Sequence, residues 1–492
     1  MSGSAEHWRQ IGLAASARRD HAAAVQAFER AARLAPGDPA LAARLALERL
    51  TFGDIEGARR TAHAARAMSR IDPKTLDRLG HVFSRTSDFE LAVDLFRQAA
   101  AGAPDDIGIL RNLAWGAQHV GAFGEAEAAL RRALALSPDD DKAWFSLSGL
   151  PGWRPSGQDI DTLTRLLDRL GADEERALGV GHALARAWEA LGDWPAALAV
   201  LTRAKAARRR SRAYDVGVAL GAFAAAPEAW RKGPVGPGDP TAAPIFVVGP
   251  PRSGTTLLDR ILSSHGDVTS AGELRAMPLL ALRAAGIGRE APITAEVMAA
   301  TSGVPAGAVG RTYLEAAASL AGTTPRFTDK RPFNLMFAGM ISRALPNARI
   351  LRMRRRAADT VLGNYRQLFG TASVFHDYAY DLEDTARYVC GLETLSEAWE
   401  ALLPPDRYLV IDYEALVADP ERRVREILAF CGLEWDPACL DFHRNTAGVS
   451  TASAVQVREP LHDRNIGLWR RCGEGFEPAL RILRAEGRLE HC

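Results

Sequence analysis

Cysteine is scarce in this sequence. Five of the 492 residues are cysteines, all in the C-terminal third, and no two of them form a CxxC pair. Because an odd number of scattered thiols does not make a complete disulfide framework, we expect reduced cysteines in a cytoplasmic protein. The histidines show no metal-ligand spacing with cysteines or acidic residues, so the sequence predicts no bound metal.

Long apolar runs are also missing. Charged residues interrupt the apolar segments, so none approaches the length of a membrane span, and residues 1–8 lack the pattern of an export signal. The 61 Lys and Arg residues nearly balance the 60 Asp and Glu residues, which leaves a net charge of +1. A chain with so little net charge has no global attraction for nucleic acid or a membrane surface. We therefore expect no nucleic-acid and no membrane partner, and only a local site for anions.

A repeat organises the first part of the chain. Ala24, Phe28, Ala31 and Pro36 set a pattern that recurs at a spacing of 34 residues. The matching positions are Ala58, Ala62, Ala65 and Arg70; Ala92, Phe96, Ala99 and Pro104; and Ala126, Leu130, Ala133 and Pro138. This is the length and pattern of the tetratricopeptide repeat (TPR), in which small residues let paired helices cross closely. The sequence thus predicts an α-solenoid, with an irregular alanine-rich bundle as the alternative.

The domain boundary is predicted from composition. The repeat register breaks at residues 150–157 and returns at Ala197, Leu201 and Ala204. Glycine and proline then crowd residues 232–240, a composition that disfavours regular structure. The predicted parts are a TPR-like helical domain at 1–230, a linker at 231–243 and a second domain at 244–492.

Two charged runs predict surface features. Asp139, Asp140 and Asp141 are typical of the acidic start of a helix rather than of a metal site. The run 208–210, together with Arg212, is interpreted as a solvated helix end, with a binding patch as the alternative.

A phosphate loop follows the predicted linker. Residues 245–248 are apolar and rich in β-branched side chains, as in a buried parallel strand. Gly249 and Gly254 bound the loop after it, and a helical pattern comes next. In such a turn, backbone N–H groups point at one phosphate. An ATP-type loop has lysine at the position of Thr255, whereas the cation here is Arg252. A phosphate site unlike that of an ATPase is predicted, with a plain glycine-rich turn as the alternative.

This loop carries a family resemblance. It resembles the 5′-phosphosulfate loop of sulfotransferases that use the nucleotide PAPS, and is similar to the form in tyrosylprotein sulfotransferases and in bacterial proteins that join TPRs to such a domain. The resemblance covers nearly the whole chain. It implies a P-loop-like parallel-sheet α/β domain, PAPS as co-substrate and PAP as product. The implied nucleotide contacts in the loop are Pro251, Arg252, Ser253, Gly254, Thr255 and Thr256.

The resemblance also implies catalytic residues. By position alone, Glu273 is as readily a surface carboxylate as a general base, and Lys330 is a solvated loop cation. A Gly-Glu-x-Arg segment like that of tyrosylprotein sulfotransferases implies that Glu273 is the base and Arg275 a substrate contact. A Lys-x-Pro segment implies that Lys330 stabilises charge on the leaving phosphate, while Arg252 holds the 5′-phosphate.

A second strand predicts the site for another phosphate. Residues 349–353 lead into three arginines, and cations at a strand's carboxyl end fit an anion site in an open α/β sheet. The resemblance implies that Arg355 binds the 3′-phosphate of PAPS. Two features depart from the family: Arg356-Ala357 replaces Asp-Pro, and Gly363 replaces a serine. Losing that hydroxyl removes a phosphate hydrogen bond worth about 1.5–3 kcal/mol.

Further contacts are implied near the end of the chain. Tyr413 follows a predicted strand and is either a nucleotide contact or a core tyrosine. Leu468 stands before Trp469 where the family usually has a basic residue. The remaining implied contacts lie in a loop over the nucleotide and are Ser453, Gln456 and Arg458.

Three functions are compatible with these residues. The first is a PAPS-dependent sulfotransferase whose TPR array presents a polypeptide partner or substrate. The second is a scaffold whose sulfotransferase domain has lost activity, which Gly363 and Leu468 favour. The third is a kinase-like enzyme using ATP, which the missing loop lysine disfavours. The acceptor (a protein tyrosine, a glycan or a small phenol) and the oligomeric state stay open.

Overall fold

The chain forms two compact units, Met1–Leu191 and Gly192–Cys492. The computed structural model describes residues 3–86, 88–171, 173–233, 236–288, 291–318, 320–370, 374–445 and 459–489. Within these ranges, no helix combines the length and the apolar character needed to cross a membrane.

The first unit is helical throughout its regular structure. Short turns connect many of the successive helices, and most helices pack on the next one along the chain. The helices are α1 (Ala5–Ala17), α2 (His21–Leu34), α3 (Pro39–Phe52), α4 (Ile55–Arg66), α5 (Pro73–Arg85), α6 (Phe89–Gly102), α7 (Ile107–His119), α8 (Phe123–Leu136), α9 (Asp141–Ser148), α10 (Gly157–Arg169) and α11 (Glu174–Ala190).

The repeat positions form the core of this unit. Ala24, Ala31 and the large residue between them, Phe28, are fully buried, and so are their counterparts one, two and three periods later. A Cβ on Gly12 would lie 2.8 Å from the Phe28 ring, and one on Gly80 would lie 2.6 Å from the next phenylalanine of the series. Small residues are therefore required where the rings enter the paired helix, as the repeat pattern predicts.

Aspartates start many of these helices. Each accepts a hydrogen bond from a backbone N–H of the first turn, which would otherwise lack a partner. Asp140 accepts from the N–H of Ala143 at 2.7 Å, which confirms that the acidic run 139–141 is a helix start. The other aspartates at such positions in the first unit are Asp20, Asp38, Asp54, Asp72, Asp88, Asp106 and Asp173.

The second unit begins with two helices, α12 (Trp194–Arg212) and α13 (Val216–Lys232). The predicted domain boundary at 231–243 stays a prediction, and these helices lie before it in the chain. The interpretation of run 208–210 as a solvated helix end is wrong for Arg209, whose Nη2 lies 2.7 Å from Asp384 Oδ2. That carboxylate is distant in the sequence, which is why the pairing was not predicted.

A parallel sheet forms the centre of the second unit. Its strands are β1 (Pro244–Val248), β2 (Val268–Ser270), β3 (Arg326–Asp329), β4 (Arg349–Arg354) and β5 (Tyr408–Asp412). The helices that follow α13 are α14 (Thr255–Leu262), α15 (Ala276–Ala284), α16 (Ala295–Ala300), α17 (Ala306–Ala317), α18 (Ala338–Ala344), α19 (Ala357–Tyr365), α20 (Leu382–Leu402), α21 (Tyr413–Ala418), α22 (Pro420–Cys431) and α23 (Glu477–Ala485). Short 3₁₀ segments include Val374–Tyr380 and Leu468–Phe476.

The strand order places the phosphate loop at the middle of the sheet. In the described part of the chain the order is β2-β3-β1-β4-β5, and every pairing is parallel. All residues of β1 are buried, and its side chains pack alternately into the cores on the two faces. Open α/β sheets bind ligands where the connections leave a strand in opposite directions, at the carboxyl ends. The predicted fold class, a TPR-like helical region followed by a P-loop-like parallel-sheet α/β domain, is confirmed by the helical first unit and by the parallel sheet of the second.

Candidate active site

The phosphate loop connects β1 to α14. Gly249, Arg252 and Gly254 have φ of +144°, +67° and +107°, a region that favours glycine. A Cβ on Gly249 would lie 2.6 Å from the carbonyl oxygen of Met353, and one on Gly254 would lie 2.8 Å from the Tyr413 ring. Arg252 adopts this backbone with a full side chain, so its conformation costs on the order of 1–3 kcal/mol that the neighbouring contacts must offset.

Two buried side chains hold the loop in place. Ser253 donates from Oγ to the carbonyl of Pro250 at 2.8 Å, within the loop itself. Asn364 donates from Nδ2 to the carbonyl of Pro251 at 2.7 Å and accepts from the Tyr378 hydroxyl at 2.8 Å. Because the Ser253 hydroxyl is used in this way, its side chain supports the loop instead of facing the cavity. Asn364 had no motif around it and was missed in the sequence.

Glu273 and Lys330 meet at the mouth of the loop. Lys330 is 2% exposed, and its Nζ donates to Glu273 Oε1. The backbone N–H of Lys330 also donates to the carbonyl of Gly272 at 2.8 Å. The end of β3 is therefore bonded to the segment after β2 through both its backbone and its side chain. The two residues that the resemblance paired in function are thus in direct contact.

Asp329 forms hydrogen bonds that hold the segment next to this pair. Its Oδ1 accepts from the backbone N–H of Leu274 at 3.3 Å, and its Oδ2 accepts from the Tyr313 hydroxyl at 3.1 Å and from Asn334 at 3.0 Å. Burial raises the pKa of Asp329 to about 7, although these donors act in the opposite direction. Leu274 follows Glu273 directly, so Asp329 fixes the backbone that carries the candidate base. Its place next to Lys330 in the sequence was the available clue.

A second carboxylate lies under the same strands. Asp259, one turn into α14, accepts from Thr328 and from Ser270 at 3.0 Å. Burial raises the pKa of Asp259, and the hydrogen bond from Thr328 and the charge of Lys330 oppose that rise. The helix after the phosphate loop is thereby tied to β2 and β3.

Arg355 lies on the other side of the loop. Its guanidinium donates to the carbonyl of Arg252 at 3.2 Å and to the carbonyl of Asn465. It also lies 4.8 Å from the centre of the Tyr413 ring. Its buried Nε–H has no hydrogen-bond partner among the described residues. Both predicted nucleotide contacts, Arg355 and Tyr413, therefore lie against the phosphate loop.

These residues line one cavity of about 420 Å³. It brings together most of the predicted site but not Ser253 or Arg275 among the described residues, and Arg275 is exposed just before α15. Ser453, Gln456 and Arg458 lie outside the described residues, so they stay predictions. The predicted residues that line the cavity are Pro251, Arg252, Gly254, Thr255, Thr256, Glu273, Lys330, Arg355 and Tyr413.

Three aromatic residues also line the cavity, and the sequence analysis did not predict them. We call Phe333, Phe369 and His376 the aromatic wall. The rings of Phe369 and His376 stack with centroids 4.2 Å apart, and Phe333 meets His376 at 5.2 Å. Burial lowers the pKa of His376 to about 4, and the charge of Arg331 acts in the same direction. The imidazole is therefore neutral near pH 7. These three residues come from separate segments without a recognisable motif.

Two of the departures from the family, Gly363 and Leu468, have different surroundings. A Cβ on Gly363 would lie 3.1 Å from the Cβ of Arg252, so a larger residue here crowds the loop. Leu468 begins a 3₁₀ segment whose preceding residue, Gly467, donates its N–H to Asp359 at 2.8 Å. The lack of a side chain at Gly363 thus allows the close approach of α19 to the phosphate loop.

The described residues contain no group of three or more His, Cys, Asp or Glu side chains arranged to hold a metal ion. The site consists of a phosphate loop, a buried lysine paired with a glutamate, and arginines at a strand end. Residues 244–437 match the model of the sulfotransferase family, and residues 75–107 match the tetratricopeptide repeat model. Residues 244–437 are therefore similar to the sulfotransferase family and residues 75–107 to tetratricopeptide repeats, and the resemblance predicted from the sequence is confirmed.

Particular relatives agree with this class. The chain is 30% identical over 242 residues to a protein-tyrosine sulfotransferase of Drosophila melanogaster, covering 46% of each protein. It is 29% identical over 403 residues to an uncharacterized protein of Aquifex aeolicus, covering 80% of this chain and 52% of the relative. The chain thus spans about half the length of these curated relatives.

Solved structures give a weaker likeness. The sulfotransferase domain from the Synechococcus PCC 7002 olefin synthase is 18% identical, with a TM-score of 0.36, and the match covers 52% of this chain and 97% of that domain. A score at this level supports no inference about substrate or mechanism.

Proposed function

We propose that this protein is a PAPS-dependent sulfotransferase that transfers a sulfuryl group to an acceptor hydroxyl. The observation that carries the proposal is the contact between Lys330 and Glu273 at the edge of a phosphate loop. In this reaction, negative charge grows on the leaving group while the nucleophile loses a proton. A lysine stabilises that charge, and a carboxylate next to it accepts that proton.

The nucleotide is assigned to the loop side of the cavity. The N–H groups of the loop and of the first turn of α14, with Arg252, bind the 5′-phosphate. Arg355, which lines the cavity, binds the 3′-phosphate, and its guanidinium lies over the Tyr413 ring. Thr255 replaces the lysine that an ATP site needs, which favours a phosphosulfate over a triphosphate.

The reaction is a direct substitution at sulfur. The acceptor oxygen forms a bond to sulfur while the bond between sulfur and the bridging oxygen breaks. The electron pair of that bond stays on the 5′-phosphate of PAP, where the Lys330 ammonium stabilises it. The acceptor proton passes to Glu273, whose Oε1 is engaged with Lys330 and whose Oε2 takes the proton.

A polypeptide acceptor is part of the proposal. A relative of this chain is named protein-tyrosine sulfotransferase, and repeat arrays such as the TPR region provide extended surfaces for peptides. We propose a protein tyrosine as the acceptor, with Arg275 as a substrate contact. Cys390, Cys431 and Cys439 are buried free thiols, which supports a reducing, cytoplasmic setting.

Calorimetry with PAP, AMP and ATP tests the nucleotide assignment. PAP is expected to bind at least about tenfold more tightly than AMP because the 3′-phosphate gains charge-assisted hydrogen bonds. Arg355→Met should remove this preference. Arg354→Met is the matched control, since Arg354 is exposed and pairs with Asp412 at 3.5 Å. Equal affinity for PAP and AMP in the wild type would contradict the proposal, and tighter binding of ATP would favour a kinase-like enzyme.

A transfer assay separates an enzyme from an inactive scaffold. PAPS carrying radioactive sulfur is supplied with an acidic peptide that contains tyrosine, and a glycan and a small phenol are supplied in parallel. Transfer to the peptide supports the full proposal, and transfer only to the phenol or the glycan rejects the polypeptide acceptor. PAP binding without transfer to any of the three would favour the scaffold.

A further inference from the structure

A second buried lysine lies outside the catalytic pair. Lys205 belongs to α12 and is 1% exposed. Its Nζ donates to the carbonyl of Tyr365 and, at 2.7 Å, to the carbonyl of Ala379. It also lies 4.4 Å from the centre of the Tyr365 ring. Burial lowers the pKa of Lys205 to about 7. A cation is costly in this position, so the two carbonyl contacts have to compensate for its burial.

The two carbonyls border the segments that form the aromatic wall. Tyr365 ends α19 and leads into residues 366–370, which carry Phe369. Ala379 belongs to the 3₁₀ segment that carries His376. Phe369 and His376 stack on each other, so a single ammonium group joins the backbones that support both rings.

Other residues of α12 strengthen the same connection. The Tyr365 hydroxyl donates to Thr202 Oγ1 at 3.1 Å. Near the end of the helix, Arg212 Nε lies 3.9 Å from Asp377 Oδ2, in the segment that carries His376. The helix therefore contacts the wall segments along its length, with Lys205 as its buried point of attachment.

We propose that Lys205 is a positioning residue that holds the aromatic wall against the acceptor side of the active site. This role rests on the proposed function, because the wall lines the same cavity as Glu273 and Lys330, the cavity that would receive the acceptor. Lys205 itself contacts neither site residue nor cavity. Misplacement of a reactant by about 1 Å can cost on the order of 10² in rate, so a support of this kind matters to turnover.

Lys205→Met tests the proposal, since methionine keeps much of the length and removes the donors. Hydrogen–deuterium exchange is measured in peptides covering 366–370 and 374–380 of the full chain. We expect exchange at least about tenfold faster there, because two buried carbonyls lose their partner and local opening becomes easier. Arg210→Met is the matched control: it removes a long cation from an exposed position of the same helix and should leave exchange unchanged.

Kinetics distinguish positioning from general stability. With PAPS and the tyrosine-containing peptide, Lys205→Met should raise the KM for the peptide about tenfold while the Kd for PAP changes less than about threefold. Lys205→Gln retains two N–H donors on a shorter side chain. It should restore part of the exchange protection and of the KM, and it replaces the methionine variant if that variant does not fold.

The outcomes separate the two proposals. Unchanged exchange in the wall segments, or an equal rise across the whole second unit, overturns the role of Lys205. A parallel loss of PAP affinity and peptide affinity does so as well. If the wild type binds no PAP, the proposed function fails, whereas the exchange experiment still decides whether Lys205 holds the wall.

Discussion

The two sides of the cavity are built in different ways. On the loop side, contiguous residues between β1 and α14 present backbone N–H groups, and the surrounding glycines allow close contact. On the opposite side, the aromatic wall gathers side chains from separate segments, and Lys205 supports two of them from outside the cavity. The loop side is held by a hydrogen bond within the loop and by Asn364 from α19. The wall depends on Lys205, which does not line the cavity, so a change at Lys205 should affect the wall more than the nucleotide site.

The largest effect expected is on chemistry alone. Glu273→Gln should lower sulfuryl transfer by about 10²–10⁴-fold, because the amide keeps the shape but does not accept the proton. PAP affinity should survive, since the loop and the arginines bind the nucleotide. The transfer rate is measured with labelled PAPS, and PAP affinity is measured by calorimetry on the same preparation. Near-normal turnover would place the base elsewhere and would break the assignment of Glu273.

Lys330→Ala should affect both sides of the cavity. We expect transfer to fall by about 10²-fold, as for loss of one group that stabilises transition-state charge. PAP binding should weaken as well, because an ammonium near the leaving phosphate acts in the ground state and in the transition state. Lys330→Ala should therefore lower both transfer and PAP affinity, whereas Glu273→Gln should lower transfer alone. Unchanged PAP affinity in the alanine variant would show that Lys330 acts only during transfer.

Asp329 gives a prediction about pH. Burial raises its pKa from 3.8 to about 7, so between these values the folded state holds a proton that the unfolded chain has lost. Stability conferred by this group should therefore fall as pH rises through that window and level off above it. Asp329→Asn removes the titration, and its stability relative to the wild type should rise by at most about 1.4 kcal/mol per pH unit.

Urea unfolding of both proteins at several pH values measures this difference. The relevant transition is the one that PAP shifts, which identifies the second unit. Asp267→Asn is the control, since Asp267 is exposed in the same unit. A difference between the wild type and Asp329→Asn that does not vary with pH would show that Asp329 is ionised throughout.

The smallest effect expected is at Gly363. An added methyl group would lie 3.1 Å from Arg252, so Gly363→Ala should displace the loop slightly. We expect a loss of about 1 kcal/mol in PAP binding, roughly fivefold in Kd. Gly303→Ala is the control, because a Cβ there meets nothing within 4 Å. Tighter binding by the alanine variant would show that the loop has room for the serine that the family carries here.

The sequence allowed one side of this comparison to be predicted and not the other. The loop, Glu273 and Lys330 were predictable because each lies in a short contiguous motif. The repeat positions were predictable because one packing solution recurs at a fixed spacing. Asn364, Lys205 and the aromatic wall were not, since their roles arise from contacts between residues far apart in the chain. No local pattern records such contacts.

The strand order also affects the order in which the chain folds during its synthesis. In the first unit most helices pack on the next, and α9 packs on α11, so these contacts join segments close in the chain and become available as it emerges during synthesis. By contrast, β1 must wait for partners about 80 and 100 residues later, in β3 and β4, and pairings over such distances form slowly. Until then, the apolar edges of residues 245–248 stay open to other chains. The newly made protein is therefore most prone to aggregation during this interval, when its repeat region has already folded.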